Sequence, residues 1–272
     1  MNKNKKKSRV LVNLLGIPSL LSIIIIGDSN FPLFSIFIFI TMLLSMYEWN
    51  ILSNIQYKSN QLINFTVIIA IFIGLYLQLD LTYLFLIILI HTFCLIIIEI
   101  VNSSNKPLVN IGASLLGTIL IGIFIGAIIL IRNFDNGLSY TLMMFLSIWL
   151  CDTFAFVFGS AYGVKKLIPL VSPNKTWFGT ICGFLSSFIV PMIFYIYYPI
   201  AHLNFSDYII FSFIFGILGQ LGDLSISLLK REAGVKDTSN ILQGHGGVLD
   251  RFDSLSFVAP FLYIFLYFKY LL

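Results

Sequence analysis

Residues 111–131 read IGASLLGTILIGIFIGAIILI, twenty-one positions without a charge. As a helix such a run is ~30 Å long, the thickness of the hydrocarbon core of a bilayer. In hydrocarbon the backbone has no water to bond, so a run of this kind satisfies its N–H and C=O groups by forming a helix. Comparable apolar runs lie near 10–27, 31–49, 63–79, 81–101, 138–160, 177–200, 206–229 and 255–272, which makes nine, with 63–79 and 81–101 divided only by a short QLD turn. Composition agrees: 58% of residues are apolar and 10% charged, and the mean hydropathy of +0.97 lies outside the range of a water-soluble domain. The expected fold class is all-α, a polytopic membrane protein of about nine transmembrane helices.

Charge placement orients these spans. With the N-terminus cytoplasmic, the cytoplasmic segments hold Lys3, Lys5, Lys6, Lys7, Arg9, Lys58, Lys106, Lys165, Lys166, Lys175, Lys230, Arg231, Lys236 and Arg251, leaving only Arg132 and Lys269 outside. That bias is strongly positive-inside and agrees with an odd number of crossings. The net charge of +4 then reflects inner-leaflet anchoring and anionic ligands, not nucleic acid. MNKNKKKSRV before an apolar run looks like a signal peptide, but no small-x-small site follows IIIIGDS, so a retained first helix is expected. Cys94, Cys151 and Cys182 stand singly in apolar segments and suggest neither disulfides nor a metal site.

The two halves treat polarity differently. Residues 1–137, about five spans, are joined by short loops, whereas 138–272 carries two long polar insertions, 161–176 and 230–254, both cytoplasmic by this topology. In the first half, His91 and Glu99 fall inside a span and Glu48 stands beside Trp49 at a span end. A carboxylate at the membrane centre costs about 2.5–3.5 kcal/mol on insertion scales, but near a helix end it can snorkel, so a structural role is favoured for both glutamates. Gly117, Gly122 and Gly126 form a small-residue ridge whose expected purpose is helix packing.

Chemistry concentrates in the second half. If 219–231 is helical, Asp223, Ser227 and Lys230 share one stripe that emerges at the cytoplasmic end. Beyond it, Gly244, Gly246 and Gly247 interrupt regular structure and let backbone amides approach an anion. Asp250, Asp253 and Ser254 then recur at helical spacing, and carboxylates there also suit a helix N-terminus. With Asp223 they offer hard oxygen ligands, which fit Mg²⁺ better than zinc, while a lone His245 reads as a hydrogen-bond donor. In LVSPNKTWFGT, Ser172 can cap and Pro173 start the seventh span, presenting free N–H groups and Lys175 to phosphate. Asp152, a turn or two inside the membrane, favours function or a buried pairing. Carboxylates for a divalent ion, cations and glycine-rich backbone at a lipid–water boundary are what phosphoryl or nucleotidyl transfer to a lipid requires. No Ser-His-Asp order and no cysteine nucleophile is present, and clustering of polar residues at one face argues against a transporter.

The stretch SISLLKREAGVKDTSNILQGHGGVLDRFDS, 225–254, resembles the signature of the phosphatidate cytidylyltransferases, with Ser227, Lys230, Arg231, Lys236, Asp237, His245, Gly246, Gly247, Asp250, Arg251 and Asp253 all in place. CDT at 151–153 and SPNKTW at 172–177 are similar to upstream segments of that family, so the likeness covers about 150–256. The chain departs from the pattern where the family commonly has glutamate, at Phe178 and Ile226, and carries Gln243 for a frequent Pro and Phe154 for a frequent Gly.

The resemblance implies the reaction of CTP with phosphatidic acid to give CDP-diacylglycerol and diphosphate, in phospholipid biosynthesis, on the cytoplasmic face of the cell membrane. It implies Mg²⁺, alone or with a second cation, on Asp223 and Asp250. Lys230, Arg231 and Lys236 would neutralise phosphates, Asp237, His245, Arg251 and Asp253 would complete the catalytic loop, and Ser172, Lys175, Ser227, Gly246, Gly247 and Asp152 would bind substrate. Partners are CTP and membrane lipid, with a homodimer left open. Two other readings stand beside it: a CTP-dependent lipid kinase of the polyprenol type, and a non-catalytic paralogue that binds CDP-lipid.

Overall fold

The computed structural model describes residues 16, 18–27, 32–55, 57–242 and 246–271. It is an all-α polytopic membrane architecture, with eight helices among the described residues long and apolar enough to span a bilayer. They are α1 (Leu33–Leu52), α2 (Lys58–Tyr76), α3 (Leu81–Asn102), α4 (Pro107–Arg132), α5 (Gly137–Tyr162), α6 (Trp177–Tyr197), α7 (Phe205–Glu232) and α8 (Leu249–Leu271). Residues 18–26 of the first expected run are also helical, and its beginning lies outside the described residues. Several helices start earlier than their apolar runs, α2 at Lys58, α4 at Pro107 and α8 at Leu249. The cause is that a polar first turn is still helical; Pro107 at the start of α4 gives up an N–H that would have no partner there.

Two compact units form, one of residues up to Leu130 with Asp237–Asp250, the other of Ile131–Lys236 with Arg251–Leu272. Residues 237–250, though late in the sequence, thus fold with the first unit.

In the first unit the interior between α1, α2, α3 and α4 is apolar with polar bonds threaded through it. Asn60 and Asn110 donate to Glu99, Asn64 donates to Asn50 and Ser114, and His91 bonds Asn64 at 3.1 Å. Pairing of this kind removes the penalty of burying polar groups in hydrocarbon. The glycine ridge of α4 serves packing as expected: a Cβ at Gly122 would meet Ile71 and Ile68, and one at Gly117 would strike the Trp49 ring. Its middle stretch, Thr118–Ile125, is wound as a π-helix.

In the second unit α5 and α6 cross through Gly159, Gly179 and Gly183, where a Cβ at Gly179 would lie 2.8 Å from Gly159 Cα. Between them a short hairpin pairs β1 (Lys166–Ile168) with β2 (Ser172–Thr176), the one sheet among the described residues. Here the structure corrects the expected start of the seventh span. Ser172 and Pro173 lie in β2, and the cap is Thr176, extended at φ −125° and accepting from Gly179 N at 3.2 Å. A two-stranded hairpin is all edge, so it tolerates the missing N–H of Pro173. Helix α6 breaks near Ser187 and Phe188 because Pro191 has no N–H to return to the carbonyl of Ser187.

Candidate active site

In the second unit the hairpin projects Lys175 onto α7, with its Nζ 2.7 Å from Asp223 Oδ2. One turn further along α7, Ser227 Oγ donates to Asp223 Oδ1 at 3.2 Å, which realises the expected stripe. Gly222 allows α7 and α8 nearly to touch: a Cβ there would sit 2.5 Å from Asp253 O and 3.1 Å from Ser254 Cα. Asp253 of α8 and Asp152 of α5 thereby come within electrostatic range of Asp223 and of each other. Lys175 and Arg251 act on Asp152, and Lys230 on Asp253. Lys230 is 7% exposed and Asp253 8%, so this part of the cluster is held inside the protein, whereas Asp152 and Arg251 are exposed. Three carboxylates and three cations from four elements thus meet where α5, α7 and α8 come together.

Around this cluster Arg231 braces the hairpin, its Nε donating to Val171 O at 3.1 Å and its Nη1 to Val235 O at 2.9 Å. Ser172 is half-buried in β2, and Lys236 is exposed beyond the end of α7.

The glycine motif belongs to the first unit. Asp237 is exposed there, and His245 and Gln243 lie outside the described residues. Gly246 takes φ +81°, a left-handed conformation natural to glycine. Asp250 Oδ2 accepts from Gly247 N and Thr238 N, both at 2.9 Å, which closes the segment on itself. Glu48, fully buried at the end of α1, reaches the same segment. It accepts from Thr238 Oγ1, Ser239 Oγ, Val248 N and Leu249 N at 2.6–2.8 Å. Sequence reasoning took Glu48 for a snorkelling residue and did not single out Thr238 or Ser239. The available signal was a carboxylate fifteen positions into an apolar helix with no basic residue in its last turn.

In the second unit the donor set Asp152, Asp223, Asp253 and Ser227 is entirely oxygen, the chemistry that magnesium accepts, and in the first unit Asp250 offers the same kind of ligand. Among the described residues no three His, Cys, Asp or Glu side chains converge enough to hold a metal ion unaided. Magnesium does not need that, since it keeps waters and takes one or two carboxylates plus substrate phosphates, so these residues fit it.

Phe178 and Ile226, the departures from the family pattern, differ in setting. Phe178 is exposed on the first turn of α6 against Tyr162, while Ile226, one turn from Asp223 on α7, is fully buried.

The cytidylyltransferase family matches residues 7–269, nearly the whole chain. The chain belongs to that family. Among curated proteins, a phosphatidate cytidylyltransferase of Staphylococcus haemolyticus (strain JCSC1435) is 48% identical over 132 residues, 48% of this chain and 50% of that protein. The phosphatidate cytidylyltransferase of Staphylococcus saprophyticus subsp. saprophyticus is 46% identical over 144 residues, 52% of this chain and 54% of the relative. The phosphatidate cytidylyltransferase of Staphylococcus aureus (strain N315) is 46% identical over 142 residues, with the same coverage. The chain spans about half the length of the curated relatives it matches.

Proposed function

We propose that this chain is a phosphatidate cytidylyltransferase that joins CTP and phosphatidic acid into CDP-diacylglycerol with release of diphosphate. The observation that carries the reading is the cluster of Asp152, Asp223 and Asp253 with Lys175, Lys230 and Arg251 on and beside apolar spans. That is where a water-soluble polyphosphate and a lipid phosphate can both be reached. A phosphate oxygen of the lipid attacks the α-phosphorus of CTP, the bond to the bridging oxygen of the β-phosphate breaks, and diphosphate leaves. The lipid phosphate is already ionised near neutral pH, so little base catalysis is required and the work is charge neutralisation and positioning.

Asp223 and Asp250 are the carboxylates proposed for Mg²⁺, which when bound would neutralise the triphosphate and hold it in line. Lys175, Lys230, Arg231, Lys236 and Arg251 supply positive charge to the phosphates. Asp152 and Asp253 set the field around Asp223 and Lys230, and Ser227 fixes the Asp223 carboxylate through its 3.2 Å bond. Ser172 on the hairpin and the backbone of Gly246 and Gly247 are proposed to contact substrate, with Asp237 and His245 in the flanking catalytic segment. The cytoplasmic face of the cell membrane is the proposed location, supported by the placement of fourteen of the sixteen Lys and Arg residues on one side of the predicted topology.

The test is CTP labelled at the α-phosphate, with phosphatidate and Mg²⁺, using the purified full chain in detergent or vesicles. Label should enter lipid from α-labelled CTP and not from γ-labelled CTP; the reverse pattern would make the protein a lipid kinase. Asp250→Asn as fast as the unaltered protein would remove Asp250 from the metal site while leaving the reaction intact.

A further inference from the structure

Buried glutamates in the first unit are partnered in two different ways. The partners of Glu99 are Asn60 and Asn110, residues of the same helical bundle, and its effect is to tie α2, α3 and α4 together. The four described donors to Glu48 all come from the segment that carries the glycine motif. Two are side chains on one flank, Thr238 and Ser239, and two are backbone N–H groups on the other, Val248 and Leu249. Each carboxylate oxygen takes one donor from each flank: Oε1 from Ser239 and Val248, Oε2 from Thr238 and Leu249.

The flanks also meet without Glu48. Thr238 N and Gly247 N converge on Asp250 Oδ2, and Thr238 Oγ1 lies 3.1 Å from that oxygen as well as 2.8 Å from Glu48. Leu249 is the first residue of α8, and N–H groups at a helix start lack intrahelical partners. A carboxylate there is favoured by the helix dipole as well as by the hydrogen bonds. Burial excludes water from competing for these donors, so the arrangement is stiff.

We propose that Glu48 is a positioning residue for catalysis, its buried carboxylate locking the flanks Asp237–Ser239 and Gly246–Asp250 together so that the glycine backbone and Asp250 are set before substrate arrives. This rests on the functional reading above, in which that segment contacts the phosphates of CTP. Glu48 touches no substrate; it acts through the segment. The design holds the backbone of Gly246 and Gly247 in place, and so lowers the ordering cost of binding a polyphosphate.

The test compares Glu48→Gln with Glu99→Gln in the full-length protein. The amide of Gln places an NH₂ group where one oxygen accepted a hydroxyl and a backbone N–H, which should lower kcat/KM for CTP by ~10²-fold. The loss should fall on kcat and on KM for CTP, with KM for phosphatidate unchanged. Amide hydrogens of Val248 and Leu249 should exchange at least ~10-fold faster, while those of α2 keep their rates. Glu99→Gln should lower thermal stability yet leave KM for CTP where it was. If Glu48→Gln yields no folded protein, Glu48→Asp, which keeps both oxygens but reaches less far, takes the same measurements.

Exchange at Val248 and Leu249 equal to that of the unaltered protein overturns the proposal. So does a Glu48 variant that only melts earlier with an unchanged KM for CTP, as Glu99→Gln should. An unaltered protein that makes no CDP-lipid overturns the functional reading instead, and the exchange measurement then decides by itself whether Glu48 holds the segment.

Discussion

Replacing Gly247 with alanine tests how tightly the motif segment is packed. A methyl group there would land on Thr238 Oγ1 and Glu48 Oε2, and would sit 2.6 Å from Glu48 Oε1. None of these atoms is the loose end of a mobile side chain, because the carboxylate is fixed by four hydrogen bonds. Forcing a methyl into a well-packed site costs about 1–3 kcal/mol. Displacing the carboxylate also sacrifices at least one hydrogen bond to a charged group, worth about 1.5–3 kcal/mol. The sum is about 2.5–6 kcal/mol, and at about 1.4 kcal/mol per decade it predicts a loss of ~10²–10⁴ in the population of the native segment. The assay is the initial rate of CDP-lipid formation from α-labelled CTP, read beside a thermal melt in the same detergent. Gly112→Ala and Gly234→Ala are the controls, since a Cβ meets nothing within 4 Å at either. Gly112 is helical, so its alanine should be neutral or stabilising by up to ~1 kcal/mol. Gly234 has φ +71°, so its alanine should cost about 1–2 kcal/mol from the backbone alone. A Gly247→Ala protein within threefold of the unaltered rate and melting normally would refute the close-packed segment.

Asp223→Asn should reduce activity by at least ~10²-fold yet change stability by less than about 1 kcal/mol, since its pair with Lys175 is partly exposed; melts and the labelled assay separate the two effects. Lys269→Met leaves the nearly buried Asp207 without the cation now 2.9 Å away and should lower stability by about 2 kcal/mol, with most of it regained in the Asp207→Asn, Lys269→Met double variant by thermal melt. Ile226→Glu should give little folded protein because the site is fully buried, whereas Phe178→Glu at an exposed position should express normally; size-exclusion yield in detergent decides. Chelation of divalent ions should abolish CDP-lipid formation and added Mg²⁺ restore it, without a shift in the melting curve of the ligand-free protein.

The spans were legible because hydrocarbon leaves the backbone one economical arrangement, and the runs of apolar residues mark it directly. The Asp223–Ser227 bond was legible for a similar reason, since residues four apart on a helix are neighbours. The salt bridge from Lys175 to Asp223 was not, because the hairpin that aims Lys175 depends on pairing Lys166 with Thr176 and on a close helix crossing at Gly159 and Gly179. Ser172-Pro173 carried the local signature of a helix start, and strand pairing overrode it four residues before the helix begins. The structural role expected for Glu48 agrees with its four hydrogen bonds, but burial replaces snorkelling as the reason, because its partners lie 190 to 201 residues further along the chain.

That separation bears on how the protein is made. A ribosome adding about 5–20 residues per second needs roughly 10–40 s to pass from Glu48 to Thr238, the first of the donors to its carboxylate. For that interval α1 has been synthesised and its carboxylate has none of its native partners. The first unit therefore cannot be completed in order of synthesis, and a nascent chain that ends before residue 237 would carry an unsatisfied acid at the membrane, a feature by which quality-control proteases could tell it from finished protein.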